Sequence, residues 1–203
     1  MKIFISGGCK SGKSFYAQNY AKRLAMAQKI ADNRNRLYYI ATMKPVDAED
    51  DERILRHKRE REGWDFTTIE QPFNIERILD RCDHNGSFLL DSLTALLANE
   101  MFPRNDTPGS RINGHAADKI TTALLQITNN IRDIVFISDY IYSDALLYDS
   151  VTEKYRKSLA EIDRAAAANC DIVLEVAFTN VIVHKGKDLF DEFISRSENE
   201  KIP

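Results

Sequence analysis

The stretch that most constrains this chain is its first fourteen residues. Met1-Lys2-Ile3-Phe4-Ile5-Ser6 has the apolar, β-branched character of a short buried strand, and it runs directly into Gly7-Gly8-Cys9-Lys10-Ser11-Gly12-Lys13-Ser14. That octet fits G-x-x-x-x-G-K-[ST] at every specified position. A helical pattern follows from Phe15 to Leu24, so the strand–loop–helix context the motif needs is present. Gly7 and Gly12 are expected to let the backbone curl with unusual dihedrals, turning successive amides inward toward phosphate oxygens. The N-terminus of the helix adds its partial positive charge. Lys13 is expected to neutralise the β- and γ-phosphates, and the Ser14 hydroxyl to ligate Mg²⁺. At average composition the four fixed positions match by accident in roughly one chain of this length per hundred, and the flanking elements lower that further. The octet Gly7, Gly8, Cys9, Lys10, Ser11, Gly12, Lys13, Ser14 is therefore read as a nucleoside-triphosphate site.

Composition bounds the rest. At 203 residues, 43% hydrophobic and 29% charged, the chain has the material for one substantial core, and residues 1–203 are read as a single domain. A net charge of -3 lacks the basic surplus of a general nucleic-acid binder, so no nucleic-acid partner is expected. Cys9, Cys82 and Cys170 are odd in number and scattered, which suits a reducing cytoplasm and gives neither a disulfide framework nor a zinc site. No apolar run approaches the ~20 residues of a membrane span. The short apolar N-terminus ends in the phosphate loop and does not read as a signal peptide, so a cytoplasmic protein is expected.

Strand-like and helix-like segments alternate. Leu37–Ala41 reads as the second strand, residues 48–62 as a charged helix, Asp65–Ile69 as a brief strand and Asn74 to about Cys82 as a short helix. Phe88-Leu89-Leu90-Asp91 is a compact strand ending in an acid, and Ser92 is placed to cap a helix through Phe102. Residues 103–115, with Pro103, Pro108, Gly109 and Gly114, form the clearest loop. Helices are expected from Ala116 to Asn130 and about Val151 to Ala168, with a strand at Ile134–Ile137 between them. Strands at Asp171–Val176 and Val181–Val183 stand too close together for a crossover, so that pair is expected to be antiparallel, with a frayed polar tail from Glu198. The alternation implies an α/β fold, a mainly parallel sheet covered on both faces with an antiparallel C-terminal edge. Ligands in such sheets bind beyond the C-terminal strand ends, which groups Gly7–Ser14, Thr42, Asp91 and Ser138-Asp139 along one edge.

Two further features carry chemistry. Asp91 closes an apolar strand, where an acid near the metal is useful; the same position also suits a turn residue beside a helix cap. In Asp47–Trp64, acids lead and bases follow, as in a solvated, salt-bridged helix. Yet Arg53, His57 and Arg61 fall at four-residue steps and share one face. Two guanidinium groups beside an imidazole would attract phosphate and keep the imidazole neutral and nucleophilic. The residues alone leave both readings of His57 open.

The pattern Tyr39-Ile40-Ala41-Thr42, Asp47-x-Glu49, Arg53-Ile54-x-x-His57-Lys58-x-x-Arg61-x-x-Trp64 and Glu70-x-Pro72 resembles the bifunctional adenosylcobinamide kinase / adenosylcobinamide-phosphate guanylyltransferase family of cobalamin biosynthesis. Leu90-Asp91-Ser92-Leu93-Thr94 followed by Asn99 matches a further block, and the phosphate loop fits with lysine at 10 where arginine is usual. The resemblance implies a RecA-like P-loop fold in three layers and assembly as a homotrimer. It implies transfer of a γ-phosphate from ATP or GTP to a corrinoid, then guanylylation of His57 by GTP and passage of GMP to the phosphorylated substrate. Mg²⁺ is implied as cofactor with Ser14 and Asp91 as ligands; Thr42, Arg53, Arg61 and Glu70 join the loop as nucleotide-binding candidates.

The second half departs from the pattern. Ser138-Asp139-Tyr140-Ile141-Tyr142 stands where Ser-Asn-Glu-Val-Gly is usual, and Ala160-Glu161-Ile162-Asp163 where Gly-x-x-Asn is usual, although Arg156 keeps its place. Ala177-Phe178-Thr179-Asn180 replaces a small Ser-Gly pair. Three functions are therefore carried forward: the bifunctional enzyme, a P-loop kinase or nucleotidyltransferase retaining one activity on another small molecule, and a nucleotide-binding regulatory protein. The last has no use for a nucleophilic histidine.

Overall fold

The computed structural model describes residues 1–32, 36–45, 63–103 and 112–199. In chain order, β1 (Lys2–Gly7) leads through the phosphate loop into α1 (Lys13–Asp32), followed by β2 (Leu37–Ala41), β3 (Phe66–Glu70), a short 3-10 helix (Ile75–Asp80) and β4 (Ser87–Asp91). Then come α2 (Leu93–Met101), α3 (Ala116–Asn130), β5 (Asp133–Asp139), α4 (Ser150–Asn169), β6 (Ile172–Ala177), β7 (Asn180–Lys185) and α5 (Lys187–Asn199).

The seven strands form one sheet in the order β3-β2-β4-β5-β1-β6-β7. Every neighbouring pair is parallel except β6–β7, which is antiparallel. The layering follows from the strand sequences. Phe4, Phe88, Leu90, Ile134 and Phe136 pack with α2, α3 and α4 on one face, while Ile3, Ile5, Leu89, Val135 and Ile137 pack with α1 on the other. Strands apolar on both sides are what a parallel sheet between two helical layers requires. On α1, Ala17, Ala21 and Ala25 recur at four-residue steps and are buried; small side chains there let the helix that begins at Lys13 lie close on the sheet.

Several boundaries differ from expectation. The third strand is shifted one residue onward, and the helix expected from Asn74 is a 3-10 turn opened by Asn74 in the left-handed region, φ 48. Of the tail expected to fray from Glu198, Glu198 and Asn199 close α5, whose Phe190 and Phe193 set their rings edge-on to Tyr20, each with centroids 5.8 Å away, and residues 200–203 lie outside the described residues. The helix read over 48–62 and most of the 103–115 loop lie outside the described residues. Ser92 does cap α2, accepting from the Ala95 amide at 3.2 Å.

Thr42 joins three segments of the C-terminal sheet edge. It is fully buried, its hydroxyl donates to the Ser92 carbonyl (2.8 Å) and accepts from the Ser92 amide (2.7 Å), and its own amide donates to Asp91 O (3.1 Å). Asn99 Nδ2 donates to both Thr42 O (2.7 Å) and Pro72 O (3.1 Å). Thr42→Val keeps the shape but strands a buried amide and carbonyl, so it should lower stability by about 2 kcal/mol and the melting temperature by about 5 °C, measurable by calorimetry. An unchanged melting temperature would show that this junction contributes nothing.

Candidate functional site around the phosphate loop

The loop forms as its glycines demand, though the two glycines act differently. Gly12 has φ 91, the left-handed region closed to most side chains. Gly7 does not have a positive φ. A Cβ there would lie 2.6 Å from the Val176 carbonyl and 2.7 Å from Ser11 Oγ, so glycine is needed for close approach between β1, β6 and the loop. Ser11 N donates to Gly8 O at 3.3 Å and Phe15 N to Gly12 O at 3.1 Å, closing the turn into α1. Cys9 and Lys10 are exposed, and Ser11 Oγ is buried with no hydrogen-bond partner among the described residues.

Lys13 is the group the loop is built around. Its side chain is 8% exposed, its ammonium donates to Gly8 O at 3.1 Å, and it is ion-paired with Asp139 at the end of β5. A buried ammonium needs such partners, because removing it from water unpaired costs several kcal/mol. Asp139 is itself placed by the Thr94 hydroxyl, which accepts from its amide at 2.8 Å. At the end of β4, Asp91 Oδ2 accepts from the Tyr39 hydroxyl at 2.7 Å. Ser14, in the first turn of α1, and Asp91 offer hydroxyl and carboxylate oxygens, the hard donors Mg²⁺ takes. Among the described residues no three His, Cys, Asp or Glu side chains gather into a metal-holding group. The donors thus suit an ion that draws its remaining ligands from phosphates and water.

Strand order separates the other candidates. Thr42, beyond β2, is three strand spacings from β1, about 14 Å, and Glu70, at the exposed end of β3, is four, about 19 Å. Thr42 has its hydroxyl committed to Ser92, so it shapes the edge. Glu70 lies beyond the strands that border the loop. Arg53, His57 and Arg61 lie outside the described residues.

Two of the departures from the family pattern, at Tyr140 and Asp163, adjoin one polar stretch of the sheet. Ser6 on β1 is in register with Ser138 on β5 and Glu175 on β6. Burial first, then the Glu175 carboxylate, pushes the pKa of the Tyr140 phenol up, and the Gly8 amide pulls it back. Glu175 also bonds His184 Nε2 at 2.8 Å. A carboxylate thus stands beside the loop after all, delivered by β6 across from Tyr140. Glu175 interrupts the otherwise apolar run Ile172–Ala177, a signal the sequence carried. Asp163 on α4 accepts from the Tyr142 hydroxyl at 2.8 Å. Burial pushes its pKa up to about 6, the Ser138 and Tyr142 hydroxyls pull it back, and the Asp139 charge adds to the rise. A cavity of about 330 Å³ lies at the opposite, N-terminal edge, lined by Arg23, Gln28 and Arg132 among others, away from this chemistry.

Asp163 therefore makes a testable contribution. A carboxyl with a raised folded pKa binds its proton more tightly in the native state, so stability should fall as pH rises from about 4 through about 6. Asp163→Asn should flatten that slope and stabilise the protein by about 2 kcal/mol at pH 7.5, read from urea unfolding across pH. A slope that persists in the variant would remove Asp163 as its source.

Comparison with known proteins bears on the same residues. The family model described as cobinamide kinase / cobinamide phosphate guanyltransferase matches residues 3–180. No curated protein matches the chain. Among solved structures, a KaiC-like protein of Pyrococcus horikoshii aligns at 11% identity over 91% of this chain and 78% of its own, TM-score 0.44. The P4 protein of bacteriophage phi6, in complex with ADP, aligns at 14% identity over 89% of this chain and 53% of its own, TM-score 0.42. Among the described residues no helix is long and apolar enough to cross a membrane. With its phosphate loop, its acid-tipped strands and a match spanning nearly the whole sequence, the chain belongs to the cobinamide kinase / cobinamide phosphate guanyltransferase family.

Proposed function

We propose that this chain carries out both transfers of its family on a corrinoid, with one phosphate loop serving each and His57 as the nucleophile of the second. In the first, the terminal hydroxyl of adenosylcobinamide attacks the γ-phosphorus of ATP or GTP, loses its proton, and the nucleoside diphosphate leaves. In the second, an imidazole nitrogen of His57 attacks the α-phosphorus of GTP and pyrophosphate leaves. A phosphate oxygen of the phosphorylated substrate then attacks that phosphorus, releasing His57 and forming adenosylcobinamide-GDP. A covalent intermediate divides one difficult transfer into two easier ones.

The observation that carries this reading is the Lys13 ammonium, buried in the loop and aimed by Gly8 O and Asp139. A fixed cation in a water-poor loop stabilises charge growing on phosphoryl oxygens without having to reorganise during the reaction. Loop amides not already bonded within the turn would orient the β-phosphate, and the Ser11 hydroxyl, buried with no partner among the described residues, would be a spare donor toward it. Ser14 and Asp91 would hold Mg²⁺, which would supply neutralising charge to the phosphates. Arg53 and Arg61, at four-residue steps from His57, supply cations for the phosphates of the guanylyl step.

GTP labelled at the α-phosphate should leave acid-labile, base-stable label on the protein, and GTP labelled at the γ-phosphate should not. His57→Ala should abolish that label while phosphorylation of cobinamide continues at close to the wild-type rate. Label from the γ-phosphate, or α-label surviving in His57→Ala, would overturn the assignment.

A further inference from the structure

We infer that Phe178, at the tip of the β6–β7 hairpin, is the platform on which the purine base of the nucleotide stacks while the phosphate loop holds its phosphates. This rests on the nucleotide reading of the loop and extends it to the other end of the same molecule. Three independent observations lead there.

The first is conformation. Ala177 pairs with Asn180, so the hairpin turns through two residues alone, Phe178 and Thr179, and both have positive φ, 50 and 63. Such turns are normally made by Asn-Gly or Gly-Gly pairs, since a bulky or β-branched residue there is strained. Strain of this kind persists where a side chain is needed in that place.

The second is exposure. The Phe178 ring is 92% exposed, an apolar surface with no structural task in the core.

The third is position. Val176 is in register with Gly7, so Phe178 stands two residues, about 7 Å, past the sheet edge, at the height of the phosphate loop. The tip is tied down there. Tyr16 donates its hydroxyl to Thr179 O at 2.6 Å, and the Thr179 methyl lies 3.9 Å from where a Gly12 Cβ would be. Strand order fixes the direction of the nucleotide. Asp139 and Asp91 lie on one flank of β1, and the Lys13 ammonium is paired toward that flank. The γ-phosphate end therefore points toward β5 and β4. The nucleoside then extends over the other flank, where β6 and β7 end in Phe178.

Stacking reads the face of a base and not its hydrogen-bonding edge. One platform would then serve ATP and GTP alike, which suits a site asked to use either.

The test is calorimetric binding of ATP, GTP and inorganic tripolyphosphate, each with Mg²⁺, to the full chain and to Phe178→Ala, Phe178→Gly and Phe178→Trp. Removing the ring should weaken both nucleotides about tenfold and leave tripolyphosphate unchanged. Phe178→Gly relieves the positive φ, so it should bind nucleotide more weakly while melting no lower than wild type, which separates the ring from the fold. Phe178→Trp should keep the affinity, with fluorescence quenched by ATP and GTP but not by tripolyphosphate. Unchanged nucleotide affinity in Phe178→Ala overturns the inference, whether or not the oligomeric state changes. An equal loss for tripolyphosphate overturns it too, by locating the effect in the loop. Wild type that binds none of the three would sink the nucleotide reading itself, whereas tight ATP binding indifferent to Phe178 sinks only the platform.

Discussion

The structure turns on one buried charge. The Lys13 ammonium lies inside the loop, with Gly8 O at 3.1 Å and Asp139 as its counter-ion. A lone ammonium in that setting would cost several kcal/mol, so the elements around it are arranged to supply partners. β5 lies directly beside β1, which brings Asp139 to the loop. Thr94, at the start of α2, fixes the Asp139 amide, and Ser92 caps the same helix. Thr42 and Asn99 hold the neighbouring strand end in register with that cap. Packing on both sheet faces thus ends in the placement of one cation.

The same arrangement explains how the chain tolerates its departures from the family pattern. The pattern's glutamate after β5 is Tyr140 here, yet Glu175 on β6, in register with Ser6, bears on the Tyr140 phenol. The pattern's asparagine on the following helix is Asp163, a carboxyl that burial makes costly to ionise and that Tyr142 and Ser138 partly support. Both adjoin the polar register of Ser6, Ser138 and Glu175. The loop they adjoin keeps Lys13, Ser14 and its glycines.

Much of this was legible in the sequence where local chemistry decides. The phosphate loop, the Ser92 cap, the bounds of Ala116–Asn130 and the antiparallel final strand pair all follow from short-range patterns. α5 was also legible, since Leu189, Phe190, Phe193 and Ile194 recur at helical spacing, but the charge of the tail obscured it. Gly7 reads as a dihedral requirement in sequence and is a spacing requirement in the fold, because only the fold brings the Val176 carbonyl against it. Glu175, Asp163 and Phe178 could not be tied to the loop from sequence, because strand register and helix packing bring them there from 150 residues or more away.

The central claim is that one phosphate loop, through Lys13, serves two chemically different transfers. Its most direct test is Lys13→Ala assayed separately for phosphorylation of cobinamide and for guanylylation of the protein, with folding checked by circular dichroism. Both activities should fall about a thousandfold. A folded Lys13→Ala protein that still performs either transfer at the wild-type rate would contradict it, and would place that reaction at another site.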